Sequence, residues 1–420
     1  MAPAVEERTV LDLDAAVTAV TAAALRPGPL GRVGLELEAH LVDLDTPAAR
    51  VPWARVTAVL ESLPALPGGS RVTLEPGGQV ELSGPPAPDA GGAVAALRAD
   101  RAVVATVLAG AGLGLAPVGA DPLRPPARVC PAPRYRAMER HFAAVGCGGP
   151  GTAMMTATAS LQVNLDAGPP GGWSRRVALA HQLGPVLVAV SAYSPLLGGS
   201  ATGWRSSRQR VWGALDQARC GPLLGGADPA GEWAAYALSA PVMLVRDPDT
   251  GAAEPVLTRT TFADWVTGAA PLAGRRPTAA DLEYHLSTLF PPVRPRGYLE
   301  IRYLDATPEP WWPALAAVTA ALLDDPVAAD AAADVTAPVA GAWDRAARDG
   351  LADAGLRTAA LRCLAAALPA VAATLRPAVE ALAELAAAGR CPGDALLAAA
   401  RAGGPEAALL SATETPEVSP

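Results

Sequence analysis

Four short stretches of the chain alternate apolar and polar residues with period two. That spacing sends successive strand side chains to opposite faces of a sheet. The stretches are GRVGLELEAHLVD (31–43), RVTLEPGGQVELSG (71–84), TATASLQVNLD (156–166) and GYLEIRYLD (297–305). The first sets Val33, Leu35, Leu37 and Leu41 on one face and Glu36, Glu38 and His40 on the other. The third opposes Ser160, Gln162 and Asn164 to Leu161, Val163 and Leu165. The fourth opposes Tyr298, Glu300 and Arg302 to Leu299, Ile301 and Tyr303. The second reads as two short strands joined at Pro76-Gly77-Gly78.

Between these strands, apolar spacing predicts helices over 10–25, 53–63, 91–110, 133–144 and 174–193, the last interrupted at Gly184-Pro185. Residues 112–119 and 234–246 read as further strands, and 200–221 as a polar, arginine-rich loop. Thr261 with Asp264, and Thr278 with Asp281, have capping-box spacing; the second box opens a helix over 279–290. Beyond about residue 310 the chain turns Ala-rich. Segments 313–323, 338–347, 352–367, 370–388 and 393–402 read as packed helices. No long linker divides the sequence. The expectation is one α+β domain over 1–405, with a helical C-terminal part at 310–405 and a disordered tail at 406–420.

The polar faces carry the chemistry. A solvated antiparallel face normally mixes Thr, Lys and charges of both signs. Here it gathers Glu, Gln and Asn with a single Arg, although like charges on neighbouring strands repel. Hard cations with a polyphosphate substrate give such a face a reason. Glu36, Glu38, Glu75, Glu81 and Glu300 could supply the carboxylates. Arg302 lies two residues beyond Glu300 and could reach a phosphoryl group, which suits a reaction run by positioning and charge neutralisation. The competing role for Arg302 is a salt bridge to one of these glutamates. His40 reads as a supporting or structural residue, and His141, His181 and His285 as structural ones.

Composition removes several classes. All 33 basic residues among the 420 are arginine. Without lysine there is no P-loop, no protein-kinase lysine and no Schiff base for pyridoxal phosphate. The net charge of −8 argues against nucleic acid. Five scattered cysteines without a C-x-x-C point to a reducing compartment and away from structural zinc. The acidic N-terminus has no signal-peptide core, and the uncharged run at 102–120 is broken by Gly and Pro, so the expected location is cytoplasmic, without a membrane span.

The motifs together resemble the glutamate–cysteine ligases of the class shared by plants and many bacteria, and within it the actinobacterial enzymes of ergothioneine biosynthesis. The resemblance rests on Gly34-Leu-Glu36-Leu-Glu38, Leu74-Glu-Pro-Gly-Gly-Gln-Val-Glu-Leu-Ser83, and Met154-Met155 with Leu161-Gln-Val-Asn-Leu-Asp166. It continues through Ser207-Arg208 to Arg219-Cys-Gly221, and Tyr284-His-Leu-Ser-Thr-Leu-Phe-Pro291 running into Tyr298-Leu-Glu-Ile-Arg302. It implies a glutamine-synthetase-like fold, an antiparallel sheet funnel with helices outside. It implies that ATP phosphorylates the γ-carboxylate of L-glutamate and that the amine of L-cysteine displaces the phosphate, giving γ-glutamylcysteine. Two or three Mg²⁺ ions are expected on Glu36, Glu38, Glu81 and Glu300. Arg302 and Glu300 take catalytic positions. Glu75, Gln79, Gln162, Asn164, Arg208 and Arg219 take positions for substrate or ATP. Arg294 and Arg296 stand where the family is often richer in basic residues. The partners implied are small molecules, with no obligate protein. A γ-glutamyl ligase using another amine acceptor in a natural-product pathway fits the same residues.

Overall fold

The computed structural model describes residues 10–223, 226–247 and 250–414. Eleven strands are present among them: β1 (Val33–Asp43), β2 (Arg71–Leu74), β3 (Val80–Ser83), β4 (Leu113–Ala116), β5 (Ser160–Asp166), β6 (Leu196–Leu197), β7 (Ser200–Ala201), β8 (Leu244–Arg246), β9 (Ala253–Pro255), β10 (Val293–Pro295) and β11 (Tyr298–Asp305). Seven of them form one antiparallel sheet in the order β10-β11-β5-β1-β3-β2. β4 pairs with the second half of β1, whose first half pairs with β3. The strands β6–β7 and β8–β9 are separate two-stranded ribbons.

All four alternating stretches contribute strands to this sheet, and their apolar positions are buried behind it except on β2, where Val72 and Leu74 are half-buried. Leu35, Leu37, Leu161, Val163, Leu165, Leu299 and Ile301 are at most 2% exposed. Helix Ala90–Gly110 covers β1, helix Trp311–Asp324 covers β5, and helix Gly184–Ser191 covers β11. Trp311–Asp324 has lost nearly all polar surface because it lies between the sheet and other helices. The sheet is therefore covered by helices on its apolar face, an α+β arrangement. Both capping boxes form, each with the Thr side chain and the Asp carboxylate exchanging hydrogen bonds with backbone N–H groups.

Several expectations need correction. Residues 234–246 are not one strand: 234–239 end the helix Pro229–Ser239, which starts behind an Asp228 cap, and the chain reaches β8 only at Leu244. Trp233, Ala234, Ala237 and Leu238 share its buried face, a helical spacing. The loop 200–221 contains helices Ser207–Gly213 and Gln217–Cys220, opened by the caps Ser206 and Asp216. Residues 156 and 157 end a helix, Gly148–Ala157, and the strand begins at Ser160. In the C-terminal part, the segment expected at 338–347 forms its helix at Trp343–Asp349, and a further helix, Pro326–Thr336, was not expected.

The tail expected from 406 is ordered as far as it is described. The last helix, Gly393–Ser411, continues past a break at Gly403-Gly404. Beyond it, the Glu414 N–H donates to the Leu115 carbonyl at 2.8 Å, and its carboxylate pairs with the buried Arg101. Residues 415–420 of the expected tail, and 1–9 of the N-terminus, lie outside the described residues. Among the described residues no helix is long and apolar enough to cross a membrane.

Candidate active site

The polar face of the sheet opens on a cleft of about 430 Å³. Register decides who meets there. Glu38 sits opposite Glu81, Glu36 opposite Gln162, and Glu300 opposite Asn164. Glu75 joins them from the β2–β3 turn. That turn needs its glycines: Gly78 has φ +86°, and a Cβ on Gly77 would stand 2.2 Å from the Thr156 carbonyl oxygen.

One half of the cleft is acidic. Glu38 accepts from the Ser160 N–H at 2.8 Å, the Ser160 hydroxyl at 2.9 Å and the Gln162 amide at 3.2 Å. Glu81 accepts from Thr73 and Ser83 hydroxyls, and Glu36 from the Asn164 amide at 2.9 Å. None of these three has an arginine partner among the described residues. Burial, then the Glu81 charge, pushes the Glu38 carboxyl up to about 7. Burial, then Glu38 and Glu81, pushes Glu75 up to about 8. Glu36 is raised by burial and by Glu300 and Glu81. Carboxylates crowded without counter-charge resist ionisation.

The other half is cationic and built around Glu300, which is fully buried. Arg294 grips it through two N–H groups at 2.5 and 2.9 Å. Arg296 reaches it at 3.2 Å and Arg302 at 3.1 Å. Burial alone would raise this carboxyl; the three arginines overcome that and hold it well below the usual carboxylate range. A carboxylate offers about four lone-pair sites, and these contacts occupy them. Glu300, expected at a metal position, is here enclosed by arginines. The salt-bridge role weighed for Arg302 is real, and Arg302 also donates to the Gln162 side-chain oxygen at 2.7 Å.

Arg208 closes the cleft. Its Nη2 donates to the Arg302 carbonyl at 2.6 Å, while its Nη1 is buried and without a partner. A buried carboxylate sets it in place: Asp305 accepts from the Tyr193 N–H and the Ser194 and Ser206 hydroxyls, and the Ser194 oxygen accepts from the Arg208 N–H. Gln79 is buried and commits its amide nitrogen to the Thr158 carbonyl, leaving its oxygen at the cleft wall without a partner.

Two expected residues, Arg219 and Asn164, sit elsewhere. Arg219 is fully buried away from the cleft and donates to the Thr288 and Pro241 carbonyls. It acts at one remove, because its own carbonyl accepts from the N–H of Phe290, a cleft residue. Asn164 supports Glu36 from below the cleft wall. His40 lies beyond the cleft, buried beside Asp121 and pushed down to about 3 by burial. The cleft also holds Arg71, Arg134, Tyr135, Trp212 and Phe290. Arg71 was findable, since it shares the period-two face of Thr73 and Glu75; the others carried no such signal. Among the described residues, no three carboxylates or imidazoles converge closely enough to hold one ion by themselves.

The motifs and the cleft have a known counterpart. The family model for glutamate-cysteine ligase family 2 matches residues 32–411. The chain belongs to this family. The match runs from the strand that carries Glu36 and Glu38 to the end of the last helix, so the C-terminal helices are part of the ligase family's unit. The chain is 61% identical over 347 residues to the glutamate–cysteine ligase EgtA of Mycolicibacterium smegmatis, covering 82% of this chain and 81% of that one. It is 56% identical over 387 residues to EgtA of Mycobacterium tuberculosis, covering 92% and 90%. The chloroplastic glutamate–cysteine ligase of Arabidopsis thaliana is 31% identical over 317 residues, 74% of this chain and 60% of that one. Among solved structures, a Francisella tularensis glutamate–cysteine ligase in complex with AMP shares the fold, with a TM-score of 0.58 at 14% identity over 92% of this chain and 88% of that one.

Proposed function

We propose that this ligase joins the γ-carboxylate of L-glutamate to the amine of L-cysteine at the expense of ATP, and that it serves ergothioneine biosynthesis. The observation that carries the reading is the division of one cleft into an acidic side, where Glu36, Glu38, Glu75 and Glu81 have no salt-bridge partner among the described residues, and a side that carries Arg208, Arg294, Arg296 and Arg302. The ligase names of its close relatives support it, as does the AMP held by the Francisella tularensis ligase that shares its fold.

A γ-carboxylate oxygen of glutamate attacks the γ-phosphorus of ATP, and the bond to ADP breaks. The amine nitrogen of cysteine then attacks the acyl carbon, loses a proton, and inorganic phosphate departs. Both steps move negative charge across phosphate oxygens, where fixed cations act most strongly. Arg302 and the unpartnered Nη1 of Arg208 supply it from this chain. The acidic half consists wholly of oxygen donors, the set that suits Mg²⁺. Glu36, Glu38 and Glu81, with Glu75 beside them, would hold the ions, and phosphate oxygens would complete the shells because the carboxylates alone do not converge. Bound Mg²⁺ would neutralise the polyphosphate and the crowded carboxylates together.

ADP release with ATP, Mg²⁺ and L-glutamate, with and without L-cysteine, tests the reading. Cysteine-dependent turnover, with γ-glutamylcysteine identified by mass, is expected. ADP release that another amine stimulates and cysteine does not would replace the acceptor, and no release would end the proposal.

A further inference from the structure

Two segments meet at Asp305: residues 192–194, just after helix Gly184–Ser191, and residues 205–208, which open helix Ser207–Gly213. They are laced together. The Ser194 N–H donates to the Arg205 carbonyl at 3.3 Å, and the Ser207 N–H donates to the Ser194 carbonyl at 2.8 Å. The Ser194 and Ser206 hydroxyls donate to the two oxygens of the buried Asp305 at 2.6 and 2.9 Å. Ser206 also caps the helix, because its hydroxyl oxygen accepts from the Gln209 N–H. Arg208 stands on this platform.

The C-terminal helical part holds the platform from outside. The Ala347 carbonyl, in helix Trp343–Asp349, accepts from the N–H groups of Arg205 and Ser206, both at 2.9 Å. At the start of the last helix the Gly393 N–H donates to the Ala192 carbonyl at 2.9 Å, and the Asp394 carboxylate pairs with the Arg205 guanidinium. A Cβ on Gly393 would stand 2.8 Å from that carbonyl oxygen, so the approach needs glycine. The second Asp394 oxygen accepts from the Cys391 N–H at 2.9 Å, which fixes the carboxylate. Asp305, Arg205 and Asp394 do not line the cleft, and among the described residues none beyond Arg302 does.

We infer that Asp305, Arg205 and Asp394 are positioning residues for Arg208, and that through them the C-terminal helical part sets one wall of the cleft; the inference rests on the ligase reading above. The tip of Arg208 has one hydrogen-bond partner, the Arg302 carbonyl, and a free Nη1. A long side chain so lightly held depends on where its backbone is placed. That backbone is placed by Ser194, whose hydroxyl accepts from the Arg208 N–H at 3.2 Å while donating to Asp305. Asp305 also acts on the charge itself. Burial depresses the Arg208 guanidinium, and Asp305, ahead of Glu38, opposes this.

Double-mutant cycles on the full chain test the assignment. Arg208→Ala should lower kcat about 10²-fold or more. Asp305→Asn should lower it on the order of tenfold to a hundredfold, the cost of a small misplacement. Asp394→Ala, partly exposed and remote from the cleft, should lower it about threefold to tenfold with KM for the amino acids unchanged, and Asp394→Glu should recover most of that loss. In the Arg208→Ala background each substitution should cost less than about twofold, because the group it positions is gone. Should Asp305→Asn not fold, Asp394→Ala decides alone. A merely structural role predicts losses that multiply across the two backgrounds and follow the folded fraction in denaturant melts. That result, a wild-type kcat in Asp394→Ala, or a near-normal kcat in Arg208→Ala would overturn the assignment and leave the ligase reading intact. Wild-type protein without cysteine-dependent ADP release would instead remove the ligase reading beneath it.

Discussion

Glu75 and Glu300 line one cleft, yet their acidities lie on opposite sides of the ordinary value. Glu75 is pushed up to about 8, and Glu300 is held far below a normal carboxylate. Burial raises both. The difference is the neighbours: other glutamates around Glu75, three arginines around Glu300. The acidic half is short of positive charge, the property on which the proposed ion site rests. The arginine half is saturated internally, and its remaining donors face the cleft. Exposure and residue type do not separate these two roles; counter-charge does.

The comparison can be broken in order of effect. Arg302→Ala should lower turnover on the order of 10²–10³-fold, the cost of losing one fixed charge at a developing anion; a near-normal kcat would detach Arg302 from the chemistry. Glu300→Gln should destabilise the fold by about 3–5 kcal/mol in denaturant melts, because Arg294 is left buried without its partner. A polar-face residue of a sheet would ordinarily cost little, so an unchanged melt would mean that the arginine cage is not formed in solution. Glu75→Gln should do the reverse. Removing one of several repelling carboxylates should stabilise the Mg²⁺-free protein by about 1 kcal/mol while impairing catalysis, and a loss of stability would contradict the account of the acidic half.

The histidines give a milder contrast, groups buried with no counter-charge to keep them ionised. His141 and His181 are pushed down to about 4, and His285 to about 3, in each case first by burial. Between about pH 6.5 and 4 the unfolded chain binds protons that the folded chain refuses. Their contribution is whole above pH 6.5 and is lost as the pH falls toward 4. The raised carboxyls of Glu38 and Glu75 act in the opposite sense over the same window, so the check is a difference: the melting temperature of the protein minus that of a His181→Gln variant should drop between pH 7 and pH 5, and a flat difference would show this ring to be better solvated than the structure has it.

Much of this was legible in the sequence. Period-two alternation located β1, β2, β3, β5 and β11, and it put Glu36, Glu38, Glu75, Glu81 and Glu300 on the face that forms the cleft. What alternation could not tell was which strands lie side by side. Pairing of β10 with β11 placed Arg294 beside Glu300, and so made Glu300 the hub of an arginine cluster that alternation alone did not announce. Arg219 misled because a motif position says nothing about burial. The helix at Pro229–Ser239 was missed because its apolar run was long enough to suit a strand; the Asp228-Pro229 start was the overlooked signal.

The order of the strands also has a consequence for the newborn chain. β1 leaves the ribosome early, but its neighbour β5 follows more than a hundred residues later, and β5 waits again for β11. Glu414, at the far end, still has to lie down beside β4. Such long-range pairings are slow to close. For much of synthesis the glutamates of β1 therefore exist without the arginines that share their cleft, and the catalytic centre is among the last parts of the molecule to be born.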